Sequence, residues 1–216
     1  MFARPISAGL RLGCAILWIA LGISAAHARV ATDCFSQDFQ RRIDGCTAII
    51  ESPATTPADK ADAYSRRALA YSLRGQYGSA IQDYDAAIQI DPNFSVALNN
   101  RAWAYFKWGR AAEGLPDVER SLQINPGSEH TWDTRAHIRH SMGDAAGAFE
   151  DYQRAMTIGG AKMIRIYQCG LSSSGRYRGR LDGIYSDELR DAIKACASSR
   201  TCDPLPEDEE CRDPMS

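Results

Sequence analysis

The sequence predicts an all-α fold: a solenoid of three helical hairpins, an N-terminal capping helix and a small, disulfide-stapled helical C-terminal module. Two observations lead to this prediction. Residue types recur every 34 residues through the middle of the chain. Within each repeat, two stretches place apolar residues at the spacing of three and four that is typical of amphipathic helices. A hairpin of this size cannot bury its apolar face alone, so neighbouring hairpins must stack.

The period is visible in several positions at once, and it defines units at residues 61–94, 95–128 and 129–161. The recurring residues are Arg67, Arg101 and Arg135; Gly75, Gly109 and Gly143; Asp83, Asp117 and Asp151; and Ile90, Ile124 and Ile158. Small residues recur where the two helices of a hairpin meet, and this predicts a close approach of their backbones. These pairs are Ala68 with Ala80, Ala102 with Gly114, and Ala136 with Ala148.

The repeating arginines and aspartates are interpreted as structural ion pairs. A scaffold needs the same contact in every unit, whereas a ligand site rarely needs three identical copies. We therefore expect Arg101→Ala to lower thermal stability and to leave ligand binding unchanged.

The pattern resembles the tetratricopeptide repeat (TPR), over residues 61–160. The early large position of that family is filled by Tyr64, Leu98 and Trp132, and the late one by Tyr84, Val118 and Tyr152. The resemblance implies a concave groove lined by the first helix of each hairpin, and a role in binding a protein or peptide. By register, the second, fifth, ninth and twelfth residues of each first helix face the groove. The candidate partner contacts are Asn99, Trp103, Phe106, Asp133, His137 and His140.

Two features of this groove are open to more than one interpretation. Exposed Trp103 and Phe106 would mark a peptide or sugar contact, or else pack between helices or under the C-terminal segment. Three histidines share one face with Asp133, which suits either a metal or pH-sensitive site or a polar groove. We favour the polar groove and predict no metal and no cofactor.

Residues 1–28 are predicted to be a secretory signal. Arg4 and Arg11 precede an apolar run over residues 12–26, and Ala26-His27-Ala28 matches a small-x-small cleavage site. The run is shorter than the roughly 20 residues that span a bilayer, which disfavours the alternative of an uncleaved anchor. The predicted location is therefore periplasmic or secreted, with no membrane contact after cleavage.

An exported chain with six cysteines after residue 28 predicts disulfides. Sequence alone allows many pairings, and loop closure favours near neighbours. On this basis we expect Cys34–Cys46, Cys169–Cys196 and Cys202–Cys211. Residues 29–60 are assigned to an N-terminal cap, with a helix over about residues 36–51.

Residues 161–202 are predicted to form the C-terminal module, followed by an acidic tail over 203–216. A helix is expected around residues 164–171, a tight turn at Asp182-Gly183 and a second helix capped by Ser186. The order Gln168, Tyr177, Asp182-Gly183 and Ile184 resembles a small peptidoglycan-binding domain. That resemblance implies contact with a wall polymer, and the candidate residues are Arg176, Tyr177, Arg178 and Arg180. The alternative is a solenoid cap, which would bury Tyr177 against the last repeat.

Charge and motif content restrict the possible functions. The net charge of −2 argues against a general nucleic-acid binder, which needs a basic excess. No nucleophile–base arrangement and no phosphate loop is recognisable, so we predict that the protein is not an enzyme. The leading hypothesis is an exported adaptor with a peptide groove and a wall tether. The alternatives are a periplasmic assembly or stress-related scaffold that binds only protein, and a metal-binding protein that uses the histidine face.

Overall fold

The computed structural model describes residues 32–205, and all regular secondary structure in this range is helical. The predicted signal peptide and most of the acidic tail lie outside these residues. The helices are α1 Phe39–Glu51, α2 Pro57–Leu73, α3 Tyr77–Ile90, α4 Ser95–Lys107, α5 Ala111–Ile124, α6 Glu129–Ser141, α7 Ala145–Ser173 and α8 Asp187–Ala197. None of the helices within 32–205 combines the length and hydropathy needed to cross a membrane. The predicted all-α solenoid, with an N-terminal helix before the repeats and a small disulfide-bonded helical module after them, is confirmed.

Each repeat is a hairpin of two helices: α2 with α3, α4 with α5, and α6 with the first part of α7. The glycine that recurs between the two helices has a backbone conformation open to few other residues. Gly75 has φ of 72°, and its two equivalents have 78° and 85°. After Gly75, the amide of Gln76 donates to the carbonyl of Tyr71 at 2.9 Å, which closes the end of α2. The 34-residue period of glycine therefore marks the turn of each hairpin.

The small residues predicted at the helix crossings do meet there. Ala68, Ala80 and Ala102 have no exposed surface. A Cβ placed on Gly114 would lie 2.7 Å from the carbonyl oxygen of Ala102, which is inside van der Waals contact. The hairpins therefore depend on residues without bulk at these positions.

The repeated arginine–aspartate pairs are confirmed as ion pairs within each hairpin. Arg67 donates twice to Asp83, at 2.7 and 2.8 Å. The Arg101–Asp117 pair has both bonds at 2.6 Å, and the Arg135–Asp151 pair has both at 2.8 Å. Each pair joins the first helix of a hairpin to its second, so the pairs belong to the scaffold.

The C-terminal segment shares its core with the third repeat. Gly160, with φ of 59°, breaks the helical path inside α7, and residues 161–173 form the helix predicted around residues 164–171. A continuous buried cluster then runs from Tyr152 and Met156 through Leu171 to Leu189 and Ile193 on α8. This segment therefore covers the apolar end of the solenoid.

The disulfide predictions are right at one end of the chain and wrong at the other. Cys34 is bonded to Cys46, as expected. Cys196 is bonded to Cys202, which contradicts both predicted C-terminal pairings, and Cys169 is also disulfide-bonded. After α8 the chain reverses within a few residues, and the amide of Cys202 donates to the carbonyl of Ser199. The pair six residues apart closes the shortest loop, so loop-closure entropy itself favours it.

Candidate functional site

The groove face of α4 carries an aromatic pair that reaches across to α6. Trp103 and Phe106 are half-buried, with ring centroids 5.0 Å apart. The imidazole of His137 on α6 lies 5.4 Å from the Trp103 ring and 5.7 Å from the Phe106 ring. Three of the predicted groove residues are therefore brought together in one aromatic cluster.

Asn99 lies one helical turn before this cluster and has an unused hydrogen-bonding atom. Its Nδ2 donates to the side chain of Asn100 at 3.3 Å. Its Oδ1 is buried and finds no donor within residues 32–205. Buried acceptors are normally satisfied, so this oxygen is an exception, and it can accept from a ligand N–H only if the Asn99 side chain turns outward.

His137 is buried, and both of its ring nitrogens face acceptors. Nδ1 lies 2.8 Å from the main-chain oxygen of Asp133, and Nε2 lies 3.1 Å from Oδ1 of Asp203. Two acceptors require two N–H donors, so the geometry calls for the protonated imidazolium. Burial alone would lower the pKa of His137, but the Asp133 charge and the Asp203 contact outweigh it and raise the pKa to about 9.

Asp133 completes a polar network beneath the groove. Its carboxylate is 3.5 Å from Nδ1 of His137 and accepts a hydrogen bond from the hydroxyl of Tyr167 on α7. Burial raises the pKa of Asp133, although His137 and Tyr167 both act against that shift. Asp133 and His137 were predicted to contact a partner. Both side chains are buried and bonded within the protein, and their contact with a partner stays a prediction.

Residues 198–205, which we call the strap, cover these two side chains. Besides the Asp203 contact, Nε2 of His140 donates to the carbonyl of Ser199 at 2.8 Å. Pro204 of the strap is buried, and Leu205 packs against the shared core. A cleft of about 590 Å³ remains between the strap and the groove, and its walls include Phe106, His140 and Asp203. The third-repeat end of the groove is therefore occupied by the chain itself.

The three histidines that were assigned to one groove face do not come together in a single site. His130 is exposed beside Glu129, whereas His137 and His140 are engaged by the strap. Within residues 32–205, no group of three His, Cys, Asp or Glu side chains is placed to hold a metal ion.

The predicted wall-polymer residues are divided between core and surface. Tyr177 is only 5% exposed, and its hydroxyl donates to the carbonyl of Arg180. Its predicted contact with a wall polymer does not fit this placement, since the ring is in the core. Arg176, Arg178 and Arg180 are exposed.

Gln168 holds the loop that contains Tyr177 and Asp182-Gly183 in place. It is fully buried, and its Nε2 donates to the side chain of Asp182 and to the carbonyl of Ile184, each at 3.1 Å. Its Oε1 accepts from the amide of Gly183 at 2.9 Å. Gln168, Tyr177 and Asp182-Gly183 therefore stabilise the conformation of this loop.

Sequence reasoning left open that the C-terminal segment covers the groove aromatics, but it did not predict the contacts of the strap with the histidines. The His137–Asp203 contact joins residues that are 66 positions apart. Neither residue belongs to a motif that points to the other. The one available signal was a histidine with an acidic neighbour on a groove position, which indicates a charged site without naming its occupant.

Comparisons with known proteins agree with the repeat architecture. Tetratricopeptide repeat family models match residues 61–94 and 83–115. No curated protein sequence matches this chain significantly. One similar solved structure is the first TPR of Spaghetti (RPAP3) bound to HSP90 peptide SRMEEVD. It is 26% identical, over 47% of this chain and 80% of that chain, with a TM-score of 0.46.

MamA is a second similar structure, 18% identical over 76% of this chain and 86% of that chain, with a TM-score of 0.52. Its likeness extends beyond the repeats that the family models match, and it concerns the fold. The hairpin geometry, the turn glycines and the family matches agree: residues 61–115 match tetratricopeptide repeat models, and the three hairpins stack as a helical solenoid of the same fold.

Proposed function

We propose that this protein is a non-enzymatic scaffold that binds a protein or peptide in the part of its groove formed by α2 and α4. The observation that carries the proposal is the Trp103–Phe106 pair, which lies half-buried on the groove surface beside the unpaired Oδ1 of Asn99. Large aromatic groups with a nearby polar atom are the usual anchors of protein interfaces.

The strap determines which part of the groove is open. It covers the α6 end, where His137 and His140 lie. Val96, on the groove face of α4, is 55% exposed. An apolar side chain of a partner could therefore reach Trp103 and Val96, while a main-chain N–H of the same partner could bond to Oδ1 of Asn99 once that side chain turns outward.

A peptide library displayed against the full mature chain, residues 29–216, tests this proposal. We expect selected peptides to lose at least tenfold in affinity on Trp103→Ala and on Asn99→Ala. Trp108→Ala is the matched control, because Trp108 is 45% exposed and stacks on Arg110 in the turn after α4, away from the groove face. Peptides that bind all three variants as tightly as the wild type would place the interaction elsewhere.

We further propose that the protein acts outside the cytoplasm. The support is the leader-like sequence over residues 1–28, together with several cysteines held as disulfides. Fractionation of cells that express the full chain, with N-terminal sequencing of the product, tests this. A mature protein that begins at Arg29 in the exported fraction is expected, and an intact Met1 in the cytoplasm would refute export.

For the C-terminal module, we favour the solenoid cap over the wall tether. The support is the burial of Tyr177 and the core that the module shares with the third repeat. Co-sedimentation with purified peptidoglycan sacculi separates the two, with Arg176→Ala/Arg178→Ala/Arg180→Ala as the variant. A cap predicts that neither protein pellets. Pelleting that the triple variant loses would establish the tether.

A further inference from the structure

We infer that the strap is an internal occupant of the groove, latched by the Cys196–Cys202 disulfide, and that reduction of this bond releases it. The inference builds on the proposed function in one respect, since the vacated surface would extend the peptide groove. The observations behind it are the contacts of the strap, the position of the disulfide and the shape of the adjoining cleft.

The strap lies where a bound peptide would lie. Its residues contact the ninth and twelfth positions of α6, His137 and His140, which the repeat register assigns to the groove. One contact is made by the Asp203 side chain and the other by the main-chain carbonyl of Ser199. A side-chain anchor combined with a main-chain hydrogen bond is the usual way in which a groove holds an extended segment.

The non-covalent hold on the strap is uneven: Pro204 is buried and Leu205 packs against the shared core, whereas other residues of the strap are exposed. Arg200, Thr201 and Asp203 are exposed, and the side chain of Asp203 is 56% exposed although it contacts His137. The disulfide adds what these contacts lack. It ties Cys202, the residue directly before Asp203, to the fully buried Cys196 at the end of α8. The carboxylate is thereby held close to the imidazole.

The latch borders the cleft, although Cys202 itself is only 5% exposed. Cys202 lines the cleft of about 590 Å³ beside the strap, whereas Cys196 is sealed in the core. A dithiol reductant entering the cleft attacks Sγ of Cys202, and Sγ of Cys196 leaves as a thiolate. The second thiol of the reductant then displaces Cys202, so the protein gains two thiols and the reductant becomes a disulfide.

The effect of the latch follows from chain entropy. Opening a loop closed by residues six apart increases the freedom of the strap by a factor of about 50 in the chain-entropy relation. A strap that is mostly bound in the oxidised protein would then spend far more time detached. The groove surface around His137 and His140 becomes free for that fraction of time.

The probe for this inference is the strap itself, supplied as a labelled synthetic peptide of residues 198–205 that carries Cys202→Ser. Fluorescence polarisation measures its affinity for the mature wild type and for the latch variant Cys196→Ser/Cys202→Ser. We expect the latch variant to bind about 10- to 50-fold more tightly, because its own strap competes less. Cys34→Ser/Cys46→Ser, which opens the disulfide at the far end of the solenoid, is the control and should match the wild type.

Two further variants keep the test decisive. Adding His137→Gln to the latch variant should abolish the gain, because the peptide loses its seat. If the latch variant loses its helical circular dichroism signal, Asp203→Lys with the disulfide intact replaces it and should also increase peptide affinity. Equal affinity for wild type and latch variant, or for wild type and Asp203→Lys in the second case, would overturn the inference.

The outcome does not depend on finding a natural partner. If the strap leaves on reduction but the protein selects no peptide from a library, the proposed function is refuted and the inference about the latch stands. Library peptides that need Trp103, together with a strap peptide that binds wild type and latch variant equally well, would support the proposed function and refute the latch.

Discussion

The structure implies that the carboxylate of Asp203 helps to keep the buried imidazole of His137 protonated. The substitution Asp203→Ala tests this directly. The imidazole is buried, and its ring nitrogens are 2.8 Å from the main-chain oxygen of Asp133 and 3.1 Å from the carboxylate of Asp203. The variant removes the second contact and leaves the first. Because the strap is held covalently next to this residue, the main chain should stay in place and only the carboxylate is lost.

The magnitude follows from the balance of burial and charge. Burial lowers the pKa of His137, while Asp133 and Asp203 raise it, and the net result is about 9 against an ordinary 6.5. That difference corresponds to about 3 kcal/mol in favour of the imidazolium. A partner carboxylate at hydrogen-bonding distance accounts for a change of about 1 to 3 pH units. We therefore expect the pKa of His137 to fall by at least about one pH unit in Asp203→Ala.

The assay is an NMR titration of the imidazole carbon-bound protons, with the His137 signal assigned by comparison with His137→Gln. Asp187→Ala is the control, because this carboxylate is 88% exposed on α8 and its ion-pair partner is Arg190. An unchanged pKa of His137 in Asp203→Ala would refute the reasoning, since it would mean that the strap carboxylate does not stabilise the imidazolium.

The same linkage gives the pH dependence of stability. Between pH 6.5 and about 9 the folded protein keeps a proton on His137 that the unfolded chain releases. The stabilisation is therefore complete below pH 6.5 and is lost as the pH rises through about 9. Urea unfolding of the wild type should show a fall of up to about 3 kcal/mol over this range. His137→Gln should have a flatter profile, and a parallel slope in both proteins would contradict this assignment.

Three further predictions concern the scaffold. Asp151→Ala leaves two arginines without their buried partner, so the free energy of unfolding in urea should fall by about 3 kcal/mol or more. Asp85→Ala is the control: its carboxylate is 55% exposed, and its loss should cost less than about 1 kcal/mol. Gly114→Ala pushes a Cβ into the backbone of α4 and should cost about 1 to 3 kcal/mol, whereas Gly78→Ala, whose nearest neighbour is 3.7 Å away, should be neutral or stabilising. Gln168→Ala should speed hydrogen exchange over residues 177–184 and leave the hairpins protected, while uniform loss of protection would show that the loop is not a separate unit.

The features that sequence predicted correctly are those whose causes lie within one repeat. The turn glycine, the small residues at the crossing and the arginine–aspartate pair all connect positions less than 34 residues apart. Each of these features occurs in all three repeats, so its structural interpretation can be checked against three copies in one sequence. The helix capped by Ser186 was predictable for a similar reason, because the Ser186 hydroxyl accepts from the amide of Leu189 only three residues on.

What sequence could not supply are contacts between distant segments. The groove register assigned His137 to the inner face of α6, but nothing near it in sequence indicates that Asp203 returns to cover it. The same limit explains Tyr177. Its spacing from Asp182-Gly183 fits a known domain type, yet its burial depends on Gln168 from the preceding helix and on the shared core with the third repeat.

Repetition separates two kinds of buried charge in this protein. The arginine–aspartate pairs occur in every hairpin, so they serve the stacking of the scaffold. The imidazolium of His137 occurs once, and the equivalent positions of the other repeats hold Leu69 and Trp103. A buried ionic group is a poor means of gaining stability compared with an apolar residue of similar size. Its presence at one groove position is best explained by what it contacts there, which is the carboxylate of the strap. The repeated residues therefore build the hairpins, and His137, which occurs in one repeat only, contacts the segment that lies in the groove.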